Sequence, residues 1–206
     1  MDENNGKRGF LFAIIGVVTL IVAVVGATYA YFSATATSDQ YSGKTLSVNL
    51  SKPTVELVSN TGQNGQGLIP IYDGTVSGHP TQLPTAVSAA KNCVDKNEYT
   101  VCHIYKVTIN NTGDDATTID TSVSLNKGGS TYLKWASMTG ANTFGTIQPT
   151  LLGDDVDLAG KGSVTQYFVV YLSNTGDNQT TDDSGKTYTG TVTITASTGS
   201  QIQAEF

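Results

Sequence analysis

"KTYTGTVTITAS", Lys186 to Ser197, decides the fold class. Tyr188, Val192, Ile194 and Ala196 fall on one face, and Thr187, Thr189, Thr191, Thr193 and Thr195 on the other. Strict period two over about ten residues is the spacing of a half-buried strand; a helix would scatter both sets around its axis. Upstream, "SVTQYFVVYLSN" (163–174) is apolar on both faces, which predicts a central strand covered from both sides. "YTVCHIYKVTIN" (99–110) places Val101, His103, Tyr105, Val107 and Ile109 on one face. After the turn "NNTGDD", "ATTIDTSVSL" sets Ile119, Val123 and Leu125 against Asp120, Ser122 and Ser124, so the two runs read as a hairpin-like unit.

The outer segments are less regular. "KTLSVNL" (44–50) alternates as a short first strand, and Pro70 inside "LIPIYDG" marks an edge strand or a bulge. "SGHPTQLPTAVSAAKNC" is a long excursion with one short helical turn at Thr85 to Ala90. "STYLKWASM" carries Trp135, the single tryptophan, as a packed residue, and "GDDVDLAGKG" reads as an acidic turn. Strands separated by turn signals, with no helical stretch after the N-terminal head, predict an all-β antiparallel sandwich.

Composition agrees. Charged residues are 14% of the chain, while Gly, Thr, Val and Tyr are plentiful, as in extracellular β domains. The net charge of −6 and the absence of a basic patch argue against nucleic acid and anionic lipid surfaces as partners.

The head predicts export. Lys7 and Arg8 precede an uncharged run from Phe10 to Phe32. As a helix that run would rise about 34 Å, enough to cross a bilayer, and the basic flank keeps its N-terminus cytoplasmic. Membrane contact through residues 10–32 is therefore expected before any cleavage. The run is long for a signal peptide, so a retained anchor and a cleaved signal are both open. Small residues permit cleavage around Thr28 and Ala30, next to Tyr31, or around Ala34 and Ala36. From Phe32 the chain alternates Phe32, Ala34, Ala36 against Ser33, Thr35, Thr37, a strand pattern with small residues on one face. The expected organisation is an apolar segment (1–30), an extended segment (31–43) and a sandwich domain (44–206).

Cys93 and Cys102 are the two cysteines, and an exported chain with an even count predicts that they form a disulfide. No zinc-protease, nucleophile-elbow, phosphate-loop or dinucleotide motif is present, and His103 lies mid-strand without a named partner. The clusters Asp114-Asp115, Asp154-Asp155-Val156-Asp157 and Asp182-Asp183 occupy Gly-containing turns and match no calcium loop. The expectation is a non-enzymatic protein with no catalytic residue, cofactor or metal.

Several stretches together resemble the TasA/camelysin-like secreted proteins: "GATYAYFSATATSD" at the end of the apolar run, "YSGKTLSVNL", "YKVTINNTGDDATTIDTSVSL", and "SVTQYFVVYLSNTGDNQTTDDSGKTYTGTVTITAS". The resemblance implies a jelly-roll-like sandwich, processing by a dedicated signal peptidase, and an extracellular role as a subunit of a surface fibre or biofilm matrix. It further implies head-to-tail self-assembly, in which the mature N-terminal segment (Phe32, Ala34 and Ala36) enters a neighbouring subunit as a donated strand. A membrane-anchored surface adhesion module is the alternative.

Overall fold

The structure is a computed structural model that describes residues 47–176 and 186–206. The N-terminal apolar segment and the proposed donor residues lie outside the described residues, as does the first half of "KTLSVNL". Among the described residues no helix is long and apolar enough to cross a membrane.

The unit Leu46–Phe206 is an antiparallel β-sandwich. Its strands are β1 (Thr54–Leu57), β2 (Cys102–Asn110), β3 (Thr117–Asn126), β4 (Leu133–Gly140), β5 (Thr143–Ile147), β6 (Gly153–Leu158), β7 (Ser163–Leu172), β8 (Thr189–Ala196) and β9 (Gln201–Glu205). One sheet has the order β1-β2-β7-β4-β5 and the other β6-β3-β8-β9. The sandwich is as expected: β2-β7-β4-β5 forms one sheet with β1 added beside β2, and β6-β3-β8 forms the other with β9 added beside β8.

The alternation read from the sequence places the core. Val107, Ile109, Ile119, Trp135, Phe168, Val170, Val192 and Ile194 meet between the sheets. β7 is buried on both faces: Phe168 and Val170 enter this inner core, while Val169 and Tyr171 face a second apolar cluster on the outside of the five-stranded sheet. That outer layer is the excursion between β1 and β2. It includes α1 (Leu83–Ser88), whose Leu83 and Val87 are buried four residues apart and whose first turn carries Pro84. Cys93 and Cys102 are bonded, tying the excursion to the start of β2. Val101 belongs to this outer cluster with Cys102 and Ile104; the inward face of β2 runs His103, Tyr105, Val107, Ile109.

Asp73 anchors the excursion to the sheet. Its fully buried side chain accepts from Lys134 Nζ, Tyr171 OH and Ser173 Oγ at Oδ2, each at 3.0 Å. Its Oδ1 accepts from Thr75 N at 2.9 Å and Thr75 Oγ1 at 2.5 Å. Burial acts to raise the carboxyl, yet the bonds from Thr75, Lys134 and Ser173 hold it well below the usual carboxylate range. Next to it, Ile71 makes a parallel bridge to Ser173, so the Pro70 segment is a single edge contact and not a full strand.

Three expectations are corrected. β2 and β3, expected as a hairpin-like unit, lie in different sheets, β2 between β1 and β7 and β3 between β6 and β8. "GDDVDLAGKG" is not only a turn: it begins with β6, where Val156 and Leu158 point inward between exposed Asp155 and Asp157. In the described part of "KTLSVNL", residues 47–50, only Leu50 forms a bridge, to Asn111. This segment crosses over the 111–115 turn, where Gly113 lies so close to the Ser47 carbonyl that a Cβ would collide with it.

Candidate functional site

The sandwich opens at one end into a cleft of about 720 Å³. Its floor is built by the inward face of β2, by the residues leading into β8 and by the chain end after β9, which together bring His103, Tyr105, Tyr188 and Phe206 into one cluster. Phe206 folds back over Gly190, where a Cβ would run into its ring. Its ring centroid lies 4.6 Å from that of Tyr105 and 5.0 Å from that of Phe168, continuing the aromatic core to the cleft. Leu68, Leu133 and Leu172 add apolar walls, and Gln66, Lys127 and Lys186 stand at the more exposed margin.

The polar tips form a chain. His103 Nδ1 lies 2.5 Å from Tyr188 OH, which lies 2.9 Å from Tyr105 OH. His103 is 5% exposed, and its Nε2 is buried without a hydrogen-bond partner among the described residues. Burial pushes the His103 imidazole below its ordinary value, favouring the neutral ring. Burial likewise raises both phenols, Tyr188 also through its pairing with Tyr105, so both stay protonated. The floor is thus uncharged but rich in hydrogen-bonding capacity.

A second feature lies along one side of the sandwich, where the edge strands β1 and β9 approach each other. Gly190 and Phe206 exchange both backbone bonds, and Ala196 N donates to Ser200 O. Antiparallel alternation then directs the N–H and C=O groups of Gln201, Gln203 and Glu205 away from β8. Val58 N donates to Ile104 O and Ser51 N to Asn110 O, so Val55 and Leu57 on β1 present their backbone outward in the same way. Leu57 and Val58 are also exposed, at 36% and 43%.

The sequence-predicted residues fall as follows. Cys93 and Cys102 are bonded to each other. Thr28, Ala30, Tyr31, Phe32, Ala34 and Ala36 lie outside the described residues. Among the described residues no group of His, Cys, Asp or Glu is arranged to hold a metal ion. Asp114 pairs with Lys161 at 3.2 Å, Asp115 accepts from Ser47 N at 3.0 Å, and Asp120 accepts from Asp155 N at 2.9 Å, so these turn carboxylates serve the local fold. His103 proves to be packed against named partners. The tyrosines joining it read as plain core residues in sequence; the available signal was that buried phenol tips require partners, and a His two residues from Tyr105 on the same strand face is one.

No family model and no curated protein matches the sequence. Among solved structures, the chain is similar to a FixG-related protein from Vibrio parahaemolyticus (TM-score 0.30, 6% identity, covering 76% of this chain and 94% of that one). It is also similar to the archaellum periplasmic stator protein complex FlaF and FlaG from Sulfolobus acidocaldarius (TM-score 0.23, 13% identity, 50% and 76%). A β-D-glucoside glucohydrolase from Trichoderma reesei matches over 79% of this chain but 19% of its own length (TM-score 0.28, 14% identity). At these scores none of the three bears on function.

Proposed function

We propose that this chain is a secreted, non-enzymatic structural subunit of a cell-surface fibre or matrix, as its resemblance to the TasA/camelysin-like proteins implies. It would be exported through residues 10–32, cleaved near Ala30, and polymerised by donating residues 31–43 to a second copy; a cut near Ala36 would remove Phe32 and Ala34 from the donor. The observation that supports this reading is the edge of β9, which has no pairing strand among the described residues, facing the likewise unpaired edge of β1 across one side of the sandwich. A free edge is a template for another strand, and natural proteins usually guard it with charge or proline. β9 has no proline, and its one charged residue is Glu205. A strand added there would extend the ladder through Gln201, Gln203 and Glu205, while its small-residue face (Phe32, Ala34, Ala36) would cover the margin of the core at Val55 and Ile202. Donor and acceptor are different surfaces, so the contact does not close on itself and builds a filament. The Cys93–Cys102 disulfide suits an oxidising, extracellular setting.

The test is negative-stain microscopy with size-exclusion chromatography on the processed protein. Gln203→Pro removes only an outward N–H and is the kind of edge proline that sheets tolerate. It should leave a folded monomer that does not polymerise, as should deletion of 31–37. Normal filaments from the deletion would overturn strand donation. Surface-extracted protein with Met1 intact, still membrane-bound after alkaline washing, would replace the fibre reading with the anchored adhesion module.

A further inference from the structure

We propose that His103 is a proton-controlled latch on the C-terminal strand: the neutral ring keeps the Tyr188–Tyr105–Phe206 seat closed, and its protonation in mild acid opens the end of β9. This inference does not depend on strand donation.

The seat joins three parts of the chain. On β2, the Tyr105 ring centroid lies 4.6 Å from that of Phe206 and 5.1 Å from that of Phe168. Before β8, the Tyr188 hydroxyl bridges His103 Nδ1 at 2.5 Å and Tyr105 OH at 2.9 Å. After β9, Phe206 exchanges both backbone bonds with Gly190, and its ring fills the space where a Gly190 Cβ would stand. Tyr188 and Gly190 are two residues apart, so one short segment carries His103 at one end and the last bonds of β9 at the other. β9 is bonded to β8 on one side only, and the end of such a strand opens readily once its support is lost.

The imidazole suits this place only when neutral. A neutral ring has one bare nitrogen. With the proton on Nδ1, facing Tyr188, the bare nitrogen is Nε2. A second proton puts an N–H on Nε2 and a full charge on the ring. Nε2 is buried and has no acceptor among the described residues, so that form is costly.

Nothing around the ring offsets the charge. The titratable groups facing it are Tyr105 on β2, Tyr188 and Lys186 before β8, and Lys127 after β3. Val170 and Leu172 on β7 and Leu133 on β4 are apolar, and Asn64 and Gln66 of the excursion are uncharged. Glu56 on β1 stands opposite Lys106, which alternation turns to the other face of the sheet, and Glu205 is exposed on the other face of β9. No carboxylate side chain among the described residues lines the cleft, and its charged side chains are both lysines. Burial accordingly holds the imidazole below its ordinary value of 6.5, so the closed seat weakens as pH falls beneath that value. The cleft, about 720 Å³ and lined by His103 itself, gives the charged ring a wetter place to go. Moving there breaks the bond to Tyr188 and removes the support that Tyr188 and Tyr105 lend to Phe206.

The experiment is amide hydrogen exchange on the full-length chain, read by NMR as protection factors at Gly190 and Phe206. The internal control is Ala196, which donates to Ser200 O at the far end of the β8–β9 hairpin. With an ordinary imidazole in the open state, Gly190 and Phe206 are expected to lose about five- to tenfold in protection between about pH 7.5 and about pH 5.5. The loss should follow the titration of the His103 ring resonances in the same sample, and Ala196 should keep its protection. His103→Phe should make protection independent of pH, which also separates His103 from His79, the other histidine. Tyr188→Phe should lower protection at Gly190 and Phe206 already at about pH 7.5, since the hydroxyl bridge is gone. An equal loss at Ala196, a loss in the unmodified protein that does not follow the His103 titration, a loss that persists in His103→Phe, or full protection in Tyr188→Phe would each overturn the latch.

Discussion

Replacing Asp73 with alanine should be among the most damaging single changes in the outer layer. The carboxylate is fully buried and accepts five hydrogen bonds, one of them from the partly exposed Lys134 ammonium. Removing it leaves Tyr171, itself 0% exposed, with a phenol that has lost its acceptor. It also leaves Lys134 beside an uncharged hole. Breaking a buried ion pair from one side costs about 3–5 kcal/mol. At roughly 2–4 °C per kcal/mol for a domain of this size, the melting temperature should fall by about 6–20 °C. Tyr171→Phe removes a single bond and leaves Asp73 four donors, so about 1 kcal/mol is expected there. Denaturant unfolding followed by fluorescence of Trp135, the single tryptophan, provides the assay, since Trp135 adjoins Lys134 on β4. The pH dependence sharpens it. The folded carboxyl titrates below its ordinary value of 3.8, so its contribution is complete above that value and is lost as pH falls through and beneath it. Asp73→Asn should flatten that part of the acid limb. A cost for Asp73→Ala below about 1 kcal/mol, or parallel stability curves for the wild type and Asp73→Asn below pH 3.8, would refute the anchoring role.

Two further outcomes are expected. Cys93→Ser with Cys102→Ser should cost about 2–3 kcal/mol by the chain-entropy argument, measured as a shift in denaturant midpoint relative to the oxidised protein; an unchanged midpoint would mean that the outer layer is held by Asp73 and its apolar contacts alone. His103, whose folded imidazole titrates below its ordinary value of 6.5, should contribute stability that is complete above 6.5 and declines as pH falls below it; His103→Phe should abolish that decline, and a decline of unchanged slope would refute the assignment.

The inner core was legible because its residues follow the strand period without interruption. Val192, Ile194 and Ala196 on β8, and Val107 and Ile109 on β2, enter the core as the alternation predicts. The double burial of β7 was legible for the same reason, since apolar residues on both faces require a second covering layer. The misreadings share one cause, which is competition between turn chemistry and strand period in short segments. In "GDDVDL" the aspartates suggest a turn, yet Val156 and Leu158 keep period two and β6 forms on the edge of the sheet. "QIQAEF" alternates in the same way at Ile202, Ala204 and Phe206, but a strand of five residues is too short to stand out from the sequence. The order of the strands was not legible from alternation at all. Strand order is set by which strands meet across the sheet, and residue alternation carries no information about that.

The candidate sites were hidden for a related reason. β9, the strand hardest to read, supplies both the open edge and, through Phe206, part of the cleft floor. Its weakness as a sequence signal follows from its position: an edge strand is packed on one side, so only every second residue is constrained, and only by one sheet. The same one-sided packing leaves Gln201, Gln203 and Glu205 with outward backbone groups. The cleft arises similarly, because at the ends of β3, β4, β7 and β8 the two sheets no longer fill the space between them, and Tyr188 and Tyr105 meet His103 through their polar tips in place of close apolar contact. The β9 edge and the cleft are therefore both parts of the sandwich where packing is incomplete. A substitution that improved packing there, such as Gly190→Val, would drive the Phe206 ring off its seat beside Tyr105 and alter both the cleft floor and the end of the β9 edge at once.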